Sequence, residues 1–190
     1  MTCLAQVKKN IQIKEYESLF QKQVVELANR SFGKNYLTDR KLQAYIALDP
    51  SFFIALSDTG LLGYCLFLSE SAELAAQGLK VSAQTLRQLG GERTVCHTKS
   101  MSVCEEARGS GLAAELFHTC LTHAASKGAG SAWGTAWKIG EKVPMERIFR
   151  GEGFSAFAEI PLAWFDDKQY RCVVCGGPCR CTGVAYYKVL

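Results

Sequence analysis

Long hydrophobic runs are missing from this sequence. The longest apolar stretch, LLGYCLFL from Leu61 to Leu68, falls far short of the roughly 20 residues that span a bilayer. The opening MTCLAQVKKN lacks a signal-peptide core, so the expectation is a soluble, cytoplasmic chain with no membrane attachment. Charge of one sign is not concentrated either. The 22 Lys and Arg and 18 Asp and Glu give a net charge of +4 with the signs interspersed, which argues against nucleic acid and membrane surfaces as partners. Internal repeats and low-complexity tracts are also lacking. Cysteine, by contrast, is plentiful at 9 residues. An odd count without an export signal argues against a secreted disulfide scaffold and for reduced thiols or a metal. Cys3, Cys65, Cys96, Cys104 and Cys120 stand singly and read as small buried hydrophobes.

At 190 residues and 48% hydrophobic content, the chain fits one domain over residues 1–190, with a small hairpin at about 165–190. Strands and helices alternate along it. Residues 11–16 alternate like a strand, and residues 17–29 carry Leu19, Phe20, Val24, Val25 and Leu27 at helical spacing. Thr38 is placed to cap a second helix that Pro50 ends. Residues 52–56 and 62–68 flank Ser57-Asp58-Thr59-Gly60, a hairpin signal. A helix at 81–89 and a strand at 94–104 follow. Beyond them come a helix opening near residue 112, a strand at 131–137, a helix at 144–152, and closing strands near 154–164 and 182–189. The order is that of an α/β domain around one mixed sheet.

The helix near residue 112 is the informative one. Leu112, Leu116, Phe117, Cys120, Leu121 and Ala124 form one apolar stripe for packing on the sheet. At its N-terminus the unpaired backbone N–H groups and the positive end of the helix dipole favour an anion. Gly109 and Gly111 carry no side chain to keep a bulky one away, and Arg108 adds a fixed charge. The segment Gly109-Ser110-Gly111-Leu112-Ala113-Ala114 also satisfies the dinucleotide fingerprint G-x-G-x-x-A. That reading expects a buried apolar strand before the turn and an acidic residue after the next strand. The preceding segment 94–101 is largely polar, and the next strand ends in Trp137-Lys138.

A second cluster stands in Cys172-Val173-Val174-Cys175-Gly176-Gly177-Pro178-Cys179-Arg180-Cys181. Four soft ligands sit within ten residues, and the Gly-Gly-Pro turn lets the backbone fold back so that all four thiolates can meet. Structural zinc held by Cys172, Cys175, Cys179 and Cys181 suits this pattern. A metal-free reduced cluster, an iron–sulfur cluster and a redox pair are the alternatives. Four protein ligands would leave the metal no open position for catalysis.

Residues 101–113, MSVCEEARGSGLA, resemble motif A of the GNAT-type N-acetyltransferase superfamily, and residues 148–154, IFRGEGF, resemble its motif B. The spacing and element order are similar from about Ile11 to the C-terminus. The resemblance implies a single-domain GNAT-like fold with a mixed, mostly antiparallel sheet flanked by helices. It also implies an N-acetyltransferase that binds acetyl-CoA in a cleft where two strands splay apart. The pyrophosphate would sit on Arg108, Gly109, Ser110, Gly111, Leu112 and Ala113, and the pantetheine would pair with the backbone of Met101, Ser102 and Val103. Phe149 would pack against the pantetheine arm. The cysteine hairpin would border the acceptor site.

The implied chemistry is direct attack of an amine on the thioester, which requires a base for the amine proton and a donor for the leaving thiolate. His97 is the expected base, because its ordinary titration lies near neutral pH. With regular pairing it would share a strand face with Met101. Glu105 and Glu106 are rivals placed better for surface roles, and His118 and His123 read as structural or exposed. The family's usual tyrosine donor is replaced by Phe149 and its usual asparagine by Lys142. Tyr186, Tyr187, Ser100 or water is left as the proton donor. Trp133, Trp137 and Trp164 are either core or walls of an acceptor pocket. The acceptor is an amine on a small molecule or a protein, and assembly as a homodimer is left open. Two other readings stand beside this one: a regulatory module that binds acyl-CoA without turnover, and a zinc-knuckle protein-interaction domain flanked by Arg171 and Arg180.

Overall fold

A computed structural model describes residues 10–90 and 93–190. Cys3 and the N-terminal stretch judged above for a signal peptide lie outside them. Strand β1 (Gln12–Glu15) leads into helix α1 (Gln21–Phe32), the two-residue strand β2 (Gly33–Lys34) and helix α2 (Asp39–Ile46). The Thr38 side chain caps α2 by accepting the Lys41 N–H, as its position in the sequence anticipates. The hairpin β3 (Ser51–Ser57) and β4 (Gly60–Glu70) precedes two short helices, α3 (Ala72–Leu79) and α4 (Ala83–Gly90). Strand β5 (Val95–Val103), helix α5 (Leu112–Ser126) and strand β6 (Ser131–Lys138) form the central crossover unit. Helix α6 (Glu146–Gly151), strands β7 (Ser155–Ile160) and β8 (Arg171–Cys172), and the last strand β9 (Thr182–Val189) complete the fold.

Seven strands form one sheet in the order β1-β3-β4-β5-β6-β9-β7. Every neighbouring pair is antiparallel except β5 and β6, which α5 joins by a crossover. The sheet is therefore mixed and mostly antiparallel, as expected. A separate ladder joins β2 to β8. The stripe on α5 packs on one face: Leu112, Leu116, Phe117, Cys120, Leu121 and Ala124 are all buried. There the Phe117 ring meets Phe67 edge-on at 5.1 Å. On the opposite face Ser31 of α1 bonds Ser102 of β5 through their hydroxyls at 2.5 Å, and α3 and α4 bury Leu79 and Leu86 with Trp133.

Two irregularities shape the centre of the sheet. The first is in β5, where Leu66 pairs with Ser100 and Phe67 with Thr98, leaving Lys99 as an extra, bulged residue. The second is a fork. Strand β5 pairs with β6 only from Val95↔Ser131 to Thr98↔Gly134, after which the two diverge. Phe149 lies at the fork over Gly134, whose missing side chain makes the space: a Cβ there would meet the Phe149 ring.

Candidate functional site

The fork opens a cleft of about 540 Å³, within the size range of small-ligand sites. From Lys99 onward the β5 edge that faces β6 has no strand partner; the Lys99 carbonyl accepts from the Tyr36 hydroxyl at 3.3 Å, and the edge beyond it is free of strand pairing. At the mouth of the cleft the chain turns into α5. Gly109 and Gly111 adopt φ of 74° and 91°, the left-handed region that costs other residues roughly 1 to 2 kcal/mol. Ser110 ties the turn, donating from its hydroxyl to the Ala107 carbonyl at 2.7 Å and accepting from the Leu112 N–H at 3.3 Å. Among the described residues the N–H groups of Gly109, Gly111 and Ala113 have no partner in the chain. They form the bare donor set that the sequence anticipates at a helix N-terminus.

Of the residues expected to touch a coenzyme, Met101, Ser102, Val103, Arg108, Ala113 and Phe149 line the cleft. Gly109, Ser110, Gly111 and Leu112 form the turn between two of them. Leu112 points inward and is buried in the core. Arg108 is exposed and reaches Glu105 Oε1 at 3.4 Å. Phe149 stacks flat on Tyr186, with ring centroids 4.6 Å apart.

His97 lines the same cleft but differs from its sequence reading in two respects. The bulge at Lys99 breaks the alternation, so His97 lies on the face of Leu68, opposite Met101, which shares a face with Cys65. Its ring is also buried, with neither nitrogen hydrogen-bonded. Burial and the neighbouring Lys99 charge push its pKa from 6.5 down to about 3. His97 is a neutral imidazole at physiological pH and does not titrate near neutrality. Its closest carboxylate is Glu70, with Oε2 3.7 Å from Nδ1. Burial raises the Glu70 pKa and the Lys99 charge opposes the rise.

Tyr186 and Tyr187 are not among the residues lining the cleft. Tyr187 packs on Trp133 at 5.4 Å, and Tyr186 lies against Phe149. Ser100 does line the cleft, its hydroxyl bonded to that of buried Tyr64 at 2.6 Å. His118 meets Glu152 and His123 meets Ser51, both away from the cleft. Trp133 is fully buried core, whereas Trp137 and Trp164 line the cleft.

The cysteine hairpin backs the aromatic side of the cleft, with Tyr36, Trp137 and Trp164 packed against Tyr170, Cys172, Cys179 and Cys181. The four Sγ atoms of Cys172, Cys175, Cys179 and Cys181 lie within 4.8 Å of one another, with Cys181 at 3.7 Å from Cys172 and 3.5 Å from Cys175. These separations fit the edges of a tetrahedron around a metal at about 2.3 Å from each sulfur, which are roughly 3.8 Å long. The cluster is tied to the loop after α1. Cys172 pairs with Gly33, the Val173 N–H and the Tyr170 hydroxyl both donate to the Phe32 carbonyl at 2.9 Å, and Lys41 pairs with Asp167 at 2.6 Å. Gly33 is required there, since a Cβ would strike the Arg171 carbonyl. Tyr36 and Tyr170 enter the cleft from this join. The isolated residues carried no sequence signal for either role, because only the β2–β8 ladder brings them together.

The forked sheet and its bare helix entrance define a class, and the sequence agrees with it. The profile of the Acetyltransferase (GNAT) family matches residues 21–138, more than half of the sequence, and the chain belongs to that family. Among solved structures, Ard1 from Thermoplasma volcanium is similar with a TM-score of 0.67 over 95% of this chain and 97% of its own, at 14% identity. An N-acetyltransferase from Staphylococcus aureus Mu50 gives 0.67 over 95% and 99%, at 13% identity. The NatC complex bound to Gag peptide and CoA gives 0.70 over 95% and 99%, at 9% identity. At these identities the likeness is one of fold. No curated protein matches the sequence.

Proposed function

We propose that the protein transfers the acetyl group of acetyl-CoA to an amine by direct attack on the thioester. The observation that carries this reading is the unpaired β5 edge beyond Thr98 leading to the bare N–H groups of Gly109, Gly111 and Ala113. An extended pantetheine would add to the open edge as a strand does, and the pyrophosphate would rest on the helix entrance beside Arg108. Phe149 would close the apolar floor.

In the reaction the amine nitrogen bonds to the thioester carbon and the carbon–sulfur bond breaks. His97 takes the amine proton. A lone imidazolium would be costly in that buried position, but Glu70 at 3.7 Å supplies a counter-charge as the proton arrives. The departing sulfur leaves as a thiolate that accepts a hydrogen bond from the Ser100 hydroxyl, itself bonded to Tyr64, and the proton released by the amine neutralises the thiolate by way of solvent. Burial raises the Tyr64 pKa well above its ordinary value, so the phenol stays neutral and holds Ser100 by a hydrogen bond. Since His97 stays unprotonated down to about pH 3, kcat/KM should show no ionisation near 6.5 and should follow deprotonation of the acceptor amine.

Cys172, Cys175, Cys179 and Cys181 would hold zinc, which their sulfur spacing fits. With four thiolates the shell is closed, and the ion contributes folding free energy instead of chemistry. On this reading residues 1–190 work as one unit, with the hairpin at about 165–190 serving as the acceptor-side wall.

The test is release of CoA thiol from acetyl-CoA in the presence of an amine panel, with the acetylated amine identified by mass. Amine-dependent release is expected. Tight acetyl-CoA binding with no release for any amine would favour the non-catalytic acyl-CoA-binding reading instead.

A further inference from the structure

Beyond His97 the cleft combines an apolar wall with a charge that has no carboxylate partner. Tyr36, Trp137, Trp164 and Tyr170 line it, with Trp137 and Trp164 edge-to-face at 6.0 Å and Tyr36 and Tyr170 at 5.5 Å. Lys99, the bulged residue, lines the same space. Among the described residues no carboxylate lies within 4.0 Å of its Nζ; the ammonium stands 5.2 Å from the Tyr45 ring, and Glu70 and Asp167 act on it from beyond ion-pair distance. The charged groups around it are accounted for. Asp167 is already paired with Lys41, and Glu70 faces His97. Next to Lys99, both nitrogens of His97 are buried without a partner. An imidazole buried without partners is costly in a resting protein, and the half-buried Lys99 ammonium beside it leaves a positive charge that a ligand carboxylate could meet.

We propose that the acceptor is a free amino acid with an aromatic or large apolar side chain, its carboxylate held by Lys99, its side chain against the Trp137–Trp164 wall and its amine facing His97. A carboxylate one carbon from the amine would bring a negative charge and the amine together into the cleft that Lys99 and His97 both line. It would also screen the amine from the like charge of Lys99. A peptide N-terminus has an amide at that place and leaves Lys99 unpaired.

This inference takes the fate of the amine from the acetyltransfer reading, but the carboxylate preference concerns binding alone and is tested separately. Calorimetric titrations of the CoA-saturated protein would compare phenylalanine with phenylalanine amide and phenethylamine, which share the ring and the amine but lack the carboxylate. Phenylalanine is expected to bind about 10 to 100-fold more tightly than either, the range of a charge-assisted contact. In Lys99→Met that ratio should fall to about one, and in Lys99→Arg, which keeps the charge, most of it should persist. Equal binding of the three compounds, no phenylalanine binding at millimolar concentration, or a ratio unchanged in Lys99→Met would overturn the proposal. If CoA itself failed to bind, the acetyltransfer reading would fall, and the same three titrations without CoA would still decide the carboxylate preference.

Discussion

His97 concentrates the electrostatic strain of the cleft in one side chain. Its pKa falls from 6.5 to about 3 in the folded protein. Between those values the unfolded chain binds a proton that the native state does not, so stability rises with pH across the window and is lost as pH falls through it. The slope from this one group is about 1.4 kcal/mol per pH unit. Denaturant midpoints measured from pH 6.5 down to 4 should show it, and His97→Phe should remove the difference; parallel curves for the two proteins would refute the burial argument. Gly134 makes a steric counterpart. Gly134→Ala should cost about 1 to 3 kcal/mol, because the added methyl meets the Phe149 ring and its Tyr186 stack. Urea unfolding would register the cost. Gly111→Ala, at φ 91° with no atom near the added Cβ, should lose about 1 to 2 kcal/mol of stability from backbone conformation alone.

At the scale of elements, regular structure was legible and register was not. The α5 stripe could be read residue by residue because six apolar positions repeat at helical spacing, and Thr38 announced α2 by its capping chemistry. Strand β5 was legible as a strand, but its bulge was not: nothing in CHTKSMSV says that Lys99 will be squeezed out against β4, and so the face of His97 was misjudged. Helix α3 was missed inside a mixed stretch, and the two-residue β2–β8 ladder is too short to leave a periodic signal. The glycine turn into α5 was legible because glycine and helix entrance are adjacent in sequence. The aromatic acceptor wall was not, because Tyr36 and Tyr170 are joined only by tertiary contacts. That join yields a prediction for the hairpin. Replacing Cys181 by Ser, or removing metal with a chelator, should free Tyr170 and Tyr36 to move. The acceptor KM should rise about 10-fold or more, as for a lost metal-supported shell, while acetyl-CoA affinity stays within about 2-fold by independence of distant sites. Metal content by mass spectrometry and acetyl-CoA titration check both halves; a fall in acetyl-CoA affinity with unchanged KM would contradict the assigned place of the hairpin.

For the molecule as a whole, the sheet divides the work. One side of the fork, closed by α5 and α6, offers bare backbone amides, where the proposal places the charge of the coenzyme. On the other side, toward α1 and the cysteine hairpin, His97, Lys99 and the aromatic wall line the cleft, where the proposal seats the acceptor. Both sides converge where β5 and β6 part, so a thioester laid along β5 would face an amine held across the sheet. No helix among the described residues is long and apolar enough to cross a membrane. Everything downstream depends on acetyl-CoA occupying the fork. The most direct measurement is a calorimetric titration of acetyl-CoA into the protein and into Gly111→Ala. The account predicts saturable binding to the native chain at micromolar concentration and at least about 10-fold weaker binding to the variant, whose methyl enters open space beside the N–H groups and strains a φ of 91°. Absence of heat at millimolar acetyl-CoA, or equal affinity for both proteins, would contradict it.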